Sequence, residues 1–196
     1  VLEVVLDEDN QAVSVTVRNL NAGGGFGGSG EVTNGTSANT ITEDTEVDSE
    51  TYTSTGDDEN ALRVDGATVI LKDITIEKTA GSSSNTEDGD FYGQNAGLLV
   101  LNGATATITG ATVNTSVTNG NGVFSYGEGT VVNISDSTIR TTENNSGGIQ
   151  TTGGGPMNAT NLDVETQGNS AAAIRGDRGG GTVNVDGGSY VTNGTG

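Results

Sequence analysis

Short stretches in which apolar and polar residues alternate recur along this chain, and Gly, Asn and Asp separate them. In Thr105–Thr109, for example, Ala106 and Ile108 alternate with threonines. Alternation of this kind predicts a β-strand with one face turned to a core. Because each stretch is short and is bounded by turn-forming residues, the pattern predicts many short strands rather than helices.

The alternating stretches also repeat at a nearly fixed spacing. Asp65–Val69 aligns with Asn102–Ala106, 37 residues later, and the following copies come at intervals of 25 or 26 residues. An insertion near residues 80–95 accounts for the longer first interval. Two apolar columns read Leu71, Ile108, Ile134, Ala159, Val185 and Ile76, Val113, Ile139, Val164, Tyr190. A turn-forming column reads Asp73, Gly110, Asp136, Asn161, Gly187.

A unit of this size cannot bury its own apolar face, so successive units must stack on one another. The repeat therefore predicts an all-β fold, a right-handed parallel β-helix with 25–26 residues per rung. A period in the mid-twenties with three short strands per turn favours this solenoid over the left-handed hexapeptide kind. A leucine-rich repeat has a similar period, but its Leu-x-x-Leu-x-Leu signature is absent here.

The chain divides into two parts. In residues 1–30, the stretches Val1–Leu6 and Ala12–Val17 predict a β-hairpin, and Gly23–Gly30 predicts a Gly-rich linker. The hairpin would cap the N-terminal end of the solenoid or belong to a preceding domain. Residues 31–196 are predicted to form the β-helix, with regular rungs from Glu59. Because Thr192–Gly196 falls within a rung, we expect the solenoid to be truncated there, continuing in a longer protein or covered by another chain.

The composition excludes several classes of functional site but does not identify the function. The chain has 33 Gly, 31% hydrophobic residues and a net charge of −19, which would also suit a disordered segment were the apolar positions not periodic. It has no Cys, His or Trp. Disulfides, zinc sites built from Cys or His, and His-based catalytic triads are thereby excluded. The negative charge argues against a nucleic-acid partner, and no apolar run predicts insertion into a membrane.

The insertion, Ala80–Asn95, must leave the stack, and it carries Phe91 and Tyr92. The repeat register places two further aromatic residues and several polar ones on the neighbouring face. Aromatic rings beside amides and charged groups are typical of carbohydrate-binding surfaces. The residues predicted to contact a carbohydrate are Phe91, Tyr92, Phe124, Tyr126, Gln150, Arg175 and Asp177. The alternative is that the aromatic residues only hold the insertion against the stack.

Clustered carboxylates suggest a second type of site. Asp57 with Asp58, and Asp88 with Asp90, offer the oxygen ligands that Ca²⁺ prefers. Neither cluster has the spacing of an EF-hand loop or of a calcium-binding nonapeptide repeat. Because acidic clusters are common in so acidic a chain, the alternative is that these residues bind no cation.

Three stretches of the chain also resemble a known group of proteins. Thr55–Arg63, Gly120–Gly129 and Arg178–Val185 are similar to segments of secreted or surface right-handed β-helix proteins of Gram-positive anaerobes, most of them described as adhesin-like. At the level of fold alone, residues 59–196 also resemble the superfamily that includes pectate lyases and polygalacturonases. The resemblance implies an extracellular or bacterial cell-surface setting and carries no established catalytic residues.

The sequence therefore favours a non-enzymatic, adhesin-like rod with a carbohydrate-binding face for surface glycans or polysaccharide. A polysaccharide lyase or hydrolase module is an alternative, although no motif of those enzymes matches and Arg175–Arg178 is the only local cluster of both charges. A further alternative is a fibre subunit that associates with itself end to end. No catalytic residue is predicted, and Ca²⁺ is the only cofactor considered.

Overall fold

The computed structural model describes residues 33–196, together with the backbone of strands β1 (Leu2–Leu6) and β2 (Ala12–Arg18). The predicted Gly-rich linker at residues 23–30 lies outside the described residues. Residues 33–196 wind into a right-handed parallel β-helix of about 6 turns, which confirms the predicted fold class.

Three sheets run along the solenoid, and each full turn contributes one strand to each. Sheet 1 contains β4 (Thr40–Ile41), β8 (Leu62–Asp65), β11 (Leu98–Leu101), β14 (Val123–Tyr126), β17 (Ile149–Thr152) and β19 (Ile174–Gly176). Sheet 2 contains β5 (Thr45–Asp48), β9 (Thr68–Lys72), β12 (Thr105–Thr109), β15 (Val131–Ser135) and the first halves of β18 (Pro156–Thr166) and β20 (Thr182–Thr192). Sheet 3 contains β6 (Thr51–Ser54), β10 (Thr75–Lys78), β13 (Thr112–Thr115), β16 (Thr138–Thr141) and the second halves of β18 and β20. A short pair, β3 (Thr36–Ser37) and β7 (Glu59–Asn60), stands beside them.

The parallel register confirms the columns predicted from the repeat. Ile108 lies between Leu71 and Ile134 in sheet 2, and Val113 lies between Ile76 and Ile139 in sheet 3. All members of the turn-forming column have positive φ angles, from 49° at Asp136 to 70° at Gly110. Because Asp, Asn and Gly tolerate this left-handed conformation best, the column forms the corner between sheets 2 and 3.

The core is a narrow tube filled by one face of every strand. Along sheet 2, buried residues such as Val69 and Leu71 alternate with exposed ones such as Ile70. Sheet 3 places one charged residue, Lys78, wholly inside the tube, where its ammonium group donates to Ser54 Oγ at 3.1 Å and to the Gly56 carbonyl. Burial lowers the pKa of Lys78.

Threonines follow Lys78 in the same interior column of the later rungs. They are Thr115, Thr141 and Thr166. Each hydroxyl donates to the backbone carbonyl five residues further along, at Gly120, Ser146 and Ala171 respectively. The column therefore fixes the same turn in three successive rungs while satisfying polar groups in the interior.

The N-terminal hairpin forms, but not where the sequence analysis expected it. Strands β1 and β2 pair in antiparallel fashion, and β2 continues the sheet by pairing with β20 of the last rung. The expectation that the hairpin caps the N-terminal end of the solenoid is therefore wrong. The first-rung stretch 43–50, in contrast, consists largely of exposed acidic residues, whereas β20 presents an edge whose Val183 and Val185 belong to the core.

Candidate functional site

The insertion, which the sequence predicts to leave the stack, contains a short helix. Helix α1 (Thr86–Tyr92) begins after Asn85, whose side chain accepts a hydrogen bond from the Glu87 amide at 2.9 Å. It ends at Gly93, which adopts a left-handed φ of 72°. Asn at the N-cap and Gly after the last turn are favoured terminators of helices. These two residues explain why seven residues of mainly polar character hold helical structure.

Helix α1 lies over the outer face of sheet 1. Beneath it, Leu99, Leu101 and Phe124 form a second hydrophobic cluster that Tyr126 borders. All four residues of β11 are consequently buried, unlike the alternating strands of sheet 2. A continuous apolar run such as Leu98–Leu101 is typical of a strand covered on both faces. That run was the sequence signal that this face carries a covering element.

Side chains of the stack hold the C-terminal end of α1 by its backbone. A helix leaves its last carbonyl groups without partners inside the helix. Here each of them accepts a hydrogen bond from a side chain of the solenoid. The pairs are Gly89 with Asn121 (3.2 Å), Asp90 with Gln150 (2.5 Å), Phe91 with Thr152 (2.7 Å), Tyr92 with Asn34 (2.5 Å) and Gly93 with Asn60 (2.8 Å). The orientation of α1 on the stack is therefore fixed.

The register brings the predicted carbohydrate-contacting residues together, but at two different depths. Phe124 pairs with Gln150 and Gln150 with Arg175, as the repeat predicted. Phe124 and Gln150 are fully buried beneath α1, so they hold the helix and offer no surface to a ligand. The remaining residues of the set are only partly buried and lie at the rim of the helix.

Three aromatic rings lie at this rim. The rings of Tyr92 and Tyr126 meet edge to face, with centroids 5.6 Å apart and planes at 85°. The guanidinium of Arg178 lies over the ring of Phe91 at 3.8 Å from its centroid, and that of Arg175 at 5.7 Å. The sequence analysis did not place Arg178 in the site. The only signal was its position three residues after Arg175, in the corner that follows β19.

The charged groups of the rim neutralise one another. Arg175 lies between Asp177, at 2.8 Å, and Asp90, at 3.7 Å, and Arg178 lies 3.5 Å from Glu87. Burial raises the pKa of Asp90, and the nearby Arg175 opposes that shift. A hydrogen bond with Tyr92 raises the pKa of Arg178. We name the surface formed by Phe91, Tyr92, Tyr126, Arg175, Asp177 and Arg178 the helix rim.

Three of the four predicted calcium ligands accept hydrogen bonds from separate groups. Asp57 accepts a hydrogen bond from the Ser82 amide at 2.6 Å, and Asp58 accepts one from the Ser84 amide at 2.7 Å. Asp90 accepts from Asn119, and burial raises the pKa of Asp88. Within residues 33–196, no three carboxylates gather closely enough to hold a metal ion. Whether the chain binds Ca²⁺ therefore stays a prediction.

None of the protein-family models, curated proteins or solved structures compared with this chain matches it. Helix α1, the only helix among the described residues, is too short and too polar to cross a membrane.

Proposed function

We propose that this chain is a non-enzymatic, adhesin-like rod of a bacterial cell surface or secreted protein, and that its helix rim binds carbohydrate. The observation that carries the proposal is the edge-to-face pair of Tyr92 and Tyr126, held beside Phe91 and Arg178. Sugar C–H faces stack on aromatic rings, while charged groups and amides take the hydroxyls. The helix rim combines both kinds of group on one partly exposed surface.

The way α1 is held supports a preformed site. Five side chains of the stack anchor the carbonyls at its C-terminal end, which belong to Phe91, Tyr92 and the residues on either side of them. A surface that is already ordered loses little conformational entropy when a ligand binds. A rigid solenoid would in turn hold that surface at a fixed distance from its point of attachment.

Charge favours a neutral carbohydrate over an acidic one. The chain has a net charge of −19, and both arginines of the helix rim are already paired with carboxylates. An acidic polysaccharide such as pectate would be repelled by this surface at moderate salt concentration. We therefore expect neutral hexoses or N-acetylated sugars to bind better than uronic acids.

A glycan-array screen tests the proposal, with Tyr126→Ala and Tyr92→Ala as the site variants. We expect binding to a defined neutral glycan, with a loss of tenfold or more in either variant. Tyr52→Ala is the matched control, because Tyr52 is a half-buried tyrosine of sheet 3 in the first rung. Tyr126→Phe keeps the ring and is expected to keep most of the binding. Absence of any bound glycan, or equal binding by all variants, would overturn the proposal.

The same screen, repeated with calcium and with chelator, tests the cation. Buried amide oxygens of Asn119 and Gln150 beneath α1 have no hydrogen-bond donor among residues 33–196. The amide nitrogens of the same two side chains donate to Asp90, which makes this region the place where a bound Ca²⁺ would be sought. Glycan binding that is lost with chelator and restored by calcium would support a cation there, and binding unaffected by chelator would count against it.

The polysaccharide lyase or hydrolase alternative has less support. Such chemistry requires a free base or a pair of available carboxylates around the substrate. In the helix rim, Arg175 is held between Asp90 and Asp177, so none of the three is unpaired. Incubation of the chain with neutral and acidic polysaccharides, with reducing ends and unsaturated products measured, would reveal an enzyme.

A further inference from the structure

The guanidinium group of Arg178 occupies one face of the Phe91 ring in the helix rim. Its central carbon lies 3.8 Å from the ring centroid, within the distance of about 6 Å at which a cation is attracted to an aromatic face. The same group lies 3.5 Å from the carboxylate of Glu87 and forms a hydrogen bond with Tyr92. A sugar therefore stacks on this face of Phe91 only after Arg178 has moved away.

The contacts that hold the side chain of Arg178 are weak. This side chain is 38% exposed and that of Glu87 is 56% exposed, so water screens the ion pair between them. The backbone of Arg178, in contrast, is fixed. Its amide donates to the Asp177 carboxylate at 2.8 Å, and its carbonyl accepts from the Gly153 amide at 3.0 Å. Rotation of the side chain alone thus uncovers Phe91 and leaves the solenoid unchanged.

The charges around Phe91 decide which ligand group best replaces Arg178. Three carboxylates accompany Arg175 and Arg178, each at most 3.7 Å from one of the two arginines. They are Glu87, Asp90 and Asp177. With all groups counted as ionised, two positive and three negative charges give −1, and the departure of Arg178 from the ring leaves −2. Arg175 stays, because its side chain is only 20% exposed and two carboxylates hold it.

This balance favours a ligand that brings a positive charge. A neutral sugar that displaces Arg178 leaves Glu87 without its partner. A positively charged amino group, in contrast, takes over both the contact with the Phe91 ring and the pairing with Glu87. The net charge of −19 attracts such a ligand over a longer distance as well.

We propose that Arg178 holds the place of a cationic ligand group, and that the helix rim binds sugars with a positively charged amino group, which displace Arg178 from Phe91. This inference rests on the proposed carbohydrate-binding function and specifies the class of sugar. Arg178 is then an internal competitor of the ligand. It lowers the apparent affinity according to the fraction of molecules in which Phe91 is covered.

Two oligosaccharides of equal length, one of glucosamine and one of N-acetylglucosamine, test the preference. They are titrated calorimetrically at about pH 6, where the amine is protonated. We expect the glucosamine oligomer to bind about tenfold more tightly. Equal or weaker binding of that oligomer would overturn the inference and leave the carbohydrate proposal in place. Absence of binding by these and all other sugars would overturn both.

Replacement of Glu87 separates the local contact from the overall charge of the chain. We expect Glu87→Gln to reduce the preference for the glucosamine oligomer about threefold. Glu43→Gln is the matched control, because Glu43 is an exposed glutamate of the first rung and its replacement changes the net charge equally. Equal reductions in the two variants would mean that the preference comes from the net charge, and they would overturn the inference.

Removal of the competing side chain tests the displacement. We expect Arg178→Ala to bind both oligosaccharides about fivefold more tightly than the wild type, because every molecule then has Phe91 uncovered. Arg140→Ala makes the same change of charge on sheet 3 and should leave both affinities unchanged. Unchanged or weaker binding by Arg178→Ala would mean that Arg178 does not compete with the ligand, which would overturn the inference.

Nuclear magnetic resonance follows Arg178 directly. An aromatic ring shifts the resonances of protons above its face upfield, so the side-chain protons of Arg178 should be shifted in the free chain. We expect this shift to disappear in Phe91→Leu, and to disappear in the wild type on saturation with the glucosamine oligomer. A shift that persists at saturation would show that the ligand leaves Arg178 on the ring and would overturn the inference.

Discussion

Sheets 2 and 3 of the solenoid differ from sheet 1 in how the residues of their strands are buried. Sheets 2 and 3 follow the 25–26-residue repeat, and their strands alternate between core and solvent. Sheet 1 follows the same register, but α1 covers it, and β17 has all four residues buried although two of them are threonines. On sheets 2 and 3 the polar side chains form ladders along the surface. On sheet 1 they become buried donors that hold a helix.

The difference between sheet 1 and sheets 2 and 3 shows which part of the solenoid carries a surface that is not repeated from rung to rung. On sheets 2 and 3 each position stacks between the equivalent positions of the neighbouring rungs, so these faces differ from rung to rung only in their side chains. The insertion breaks that equivalence, because it places aromatic residues of α1 next to Tyr126 and the two arginines of the last rungs. The helix rim is therefore the part of the described chain where we propose that a ligand binds.

The largest loss of unfolding free energy is expected from a substitution in the core beneath sheets 2 and 3. Ile139 of sheet 3 is fully buried between Val113 and Val164. We expect Ile139→Ala to lower the free energy of unfolding by about 3 kcal/mol, because a cavity remains in a narrow core. Urea denaturation of the purified chain measures it. The neighbouring Arg140→Ala, which removes surface ion pairs with Asp163 and Glu165, should cost less than about 1 kcal/mol.

Equal losses of unfolding free energy in Ile139→Ala and Arg140→Ala would contradict this comparison. The stability of sheets 2 and 3 would then not depend on the buried column that contains Ile139. A loss below about 1 kcal/mol for Ile139→Ala would mean that neighbouring rungs relax into the space, which close-packed interiors rarely allow.

On sheet 1, a substitution beneath α1 should weaken the docking of the helix and leave the rest of the solenoid unchanged. Asn60 donates to the carbonyls of Gly93 and Ala96 and accepts from Arg63. We expect Asn60→Ala to destabilise the docking of α1 by about 2 kcal/mol, because buried carbonyls lose their donors. Hydrogen exchange of the α1 amides should rise, while that of sheets 2 and 3 stays unchanged.

Asn193→Ala is the control for that experiment. Asn193 also donates a side-chain hydrogen bond, to Glu165, but it is exposed. We expect a change within about 0.5 kcal/mol. Faster exchange throughout the solenoid in Asn60→Ala would contradict the view that α1 is a separate element laid on a complete stack.

The fold was predictable because it depends on periodicity. The columns through Ile108 and Val113, and the left-handed corner through Asp136, follow from spacing alone. The depth of Phe124 and Gln150 was not predictable, because the repeat gives a residue's column but not what lies above it. The docking of α1 depends on hydrogen bonds between residues 60 positions apart, such as Gln150 with Asp90. The position of β2 beyond the last rung is likewise a long-range pairing that no local pattern encodes.

A smaller effect is expected for the surface ladder of sheet 2. Asn184 donates to Asn158, and Asn158 donates to Asn133, both at 2.8 Å. Asn158→Ala removes two side-chain hydrogen bonds at a site that water reaches, whereas Asn60→Ala removes its bonds to Gly93, Ala96 and Arg63 in the interior. We expect a loss of about 1 kcal/mol by urea denaturation, with Thr160→Ala on the same strand as the control. A loss of unfolding free energy as large as that expected for Asn60→Ala would show that burial does not explain the difference between sheet 1 and sheet 2.

The smallest effect is expected from a change of pH, and it concerns only the docking of α1 on sheet 1. Burial raises the pKa of Asp90 in the docked state above its ordinary value of 3.8. A carboxyl group whose pKa is raised by folding destabilises the docked state while it is ionised, and this cost disappears as the pH falls through the raised pKa. Protection of the α1 amides, corrected for intrinsic exchange, should therefore increase from about pH 7 towards about pH 4. Asp90→Asn should reduce that increase without removing it, because burial raises the pKa of Asp88 as well. Protection that decreases over this range would mean that the ion pair with Arg175, rather than burial, governs the carboxyl of Asp90.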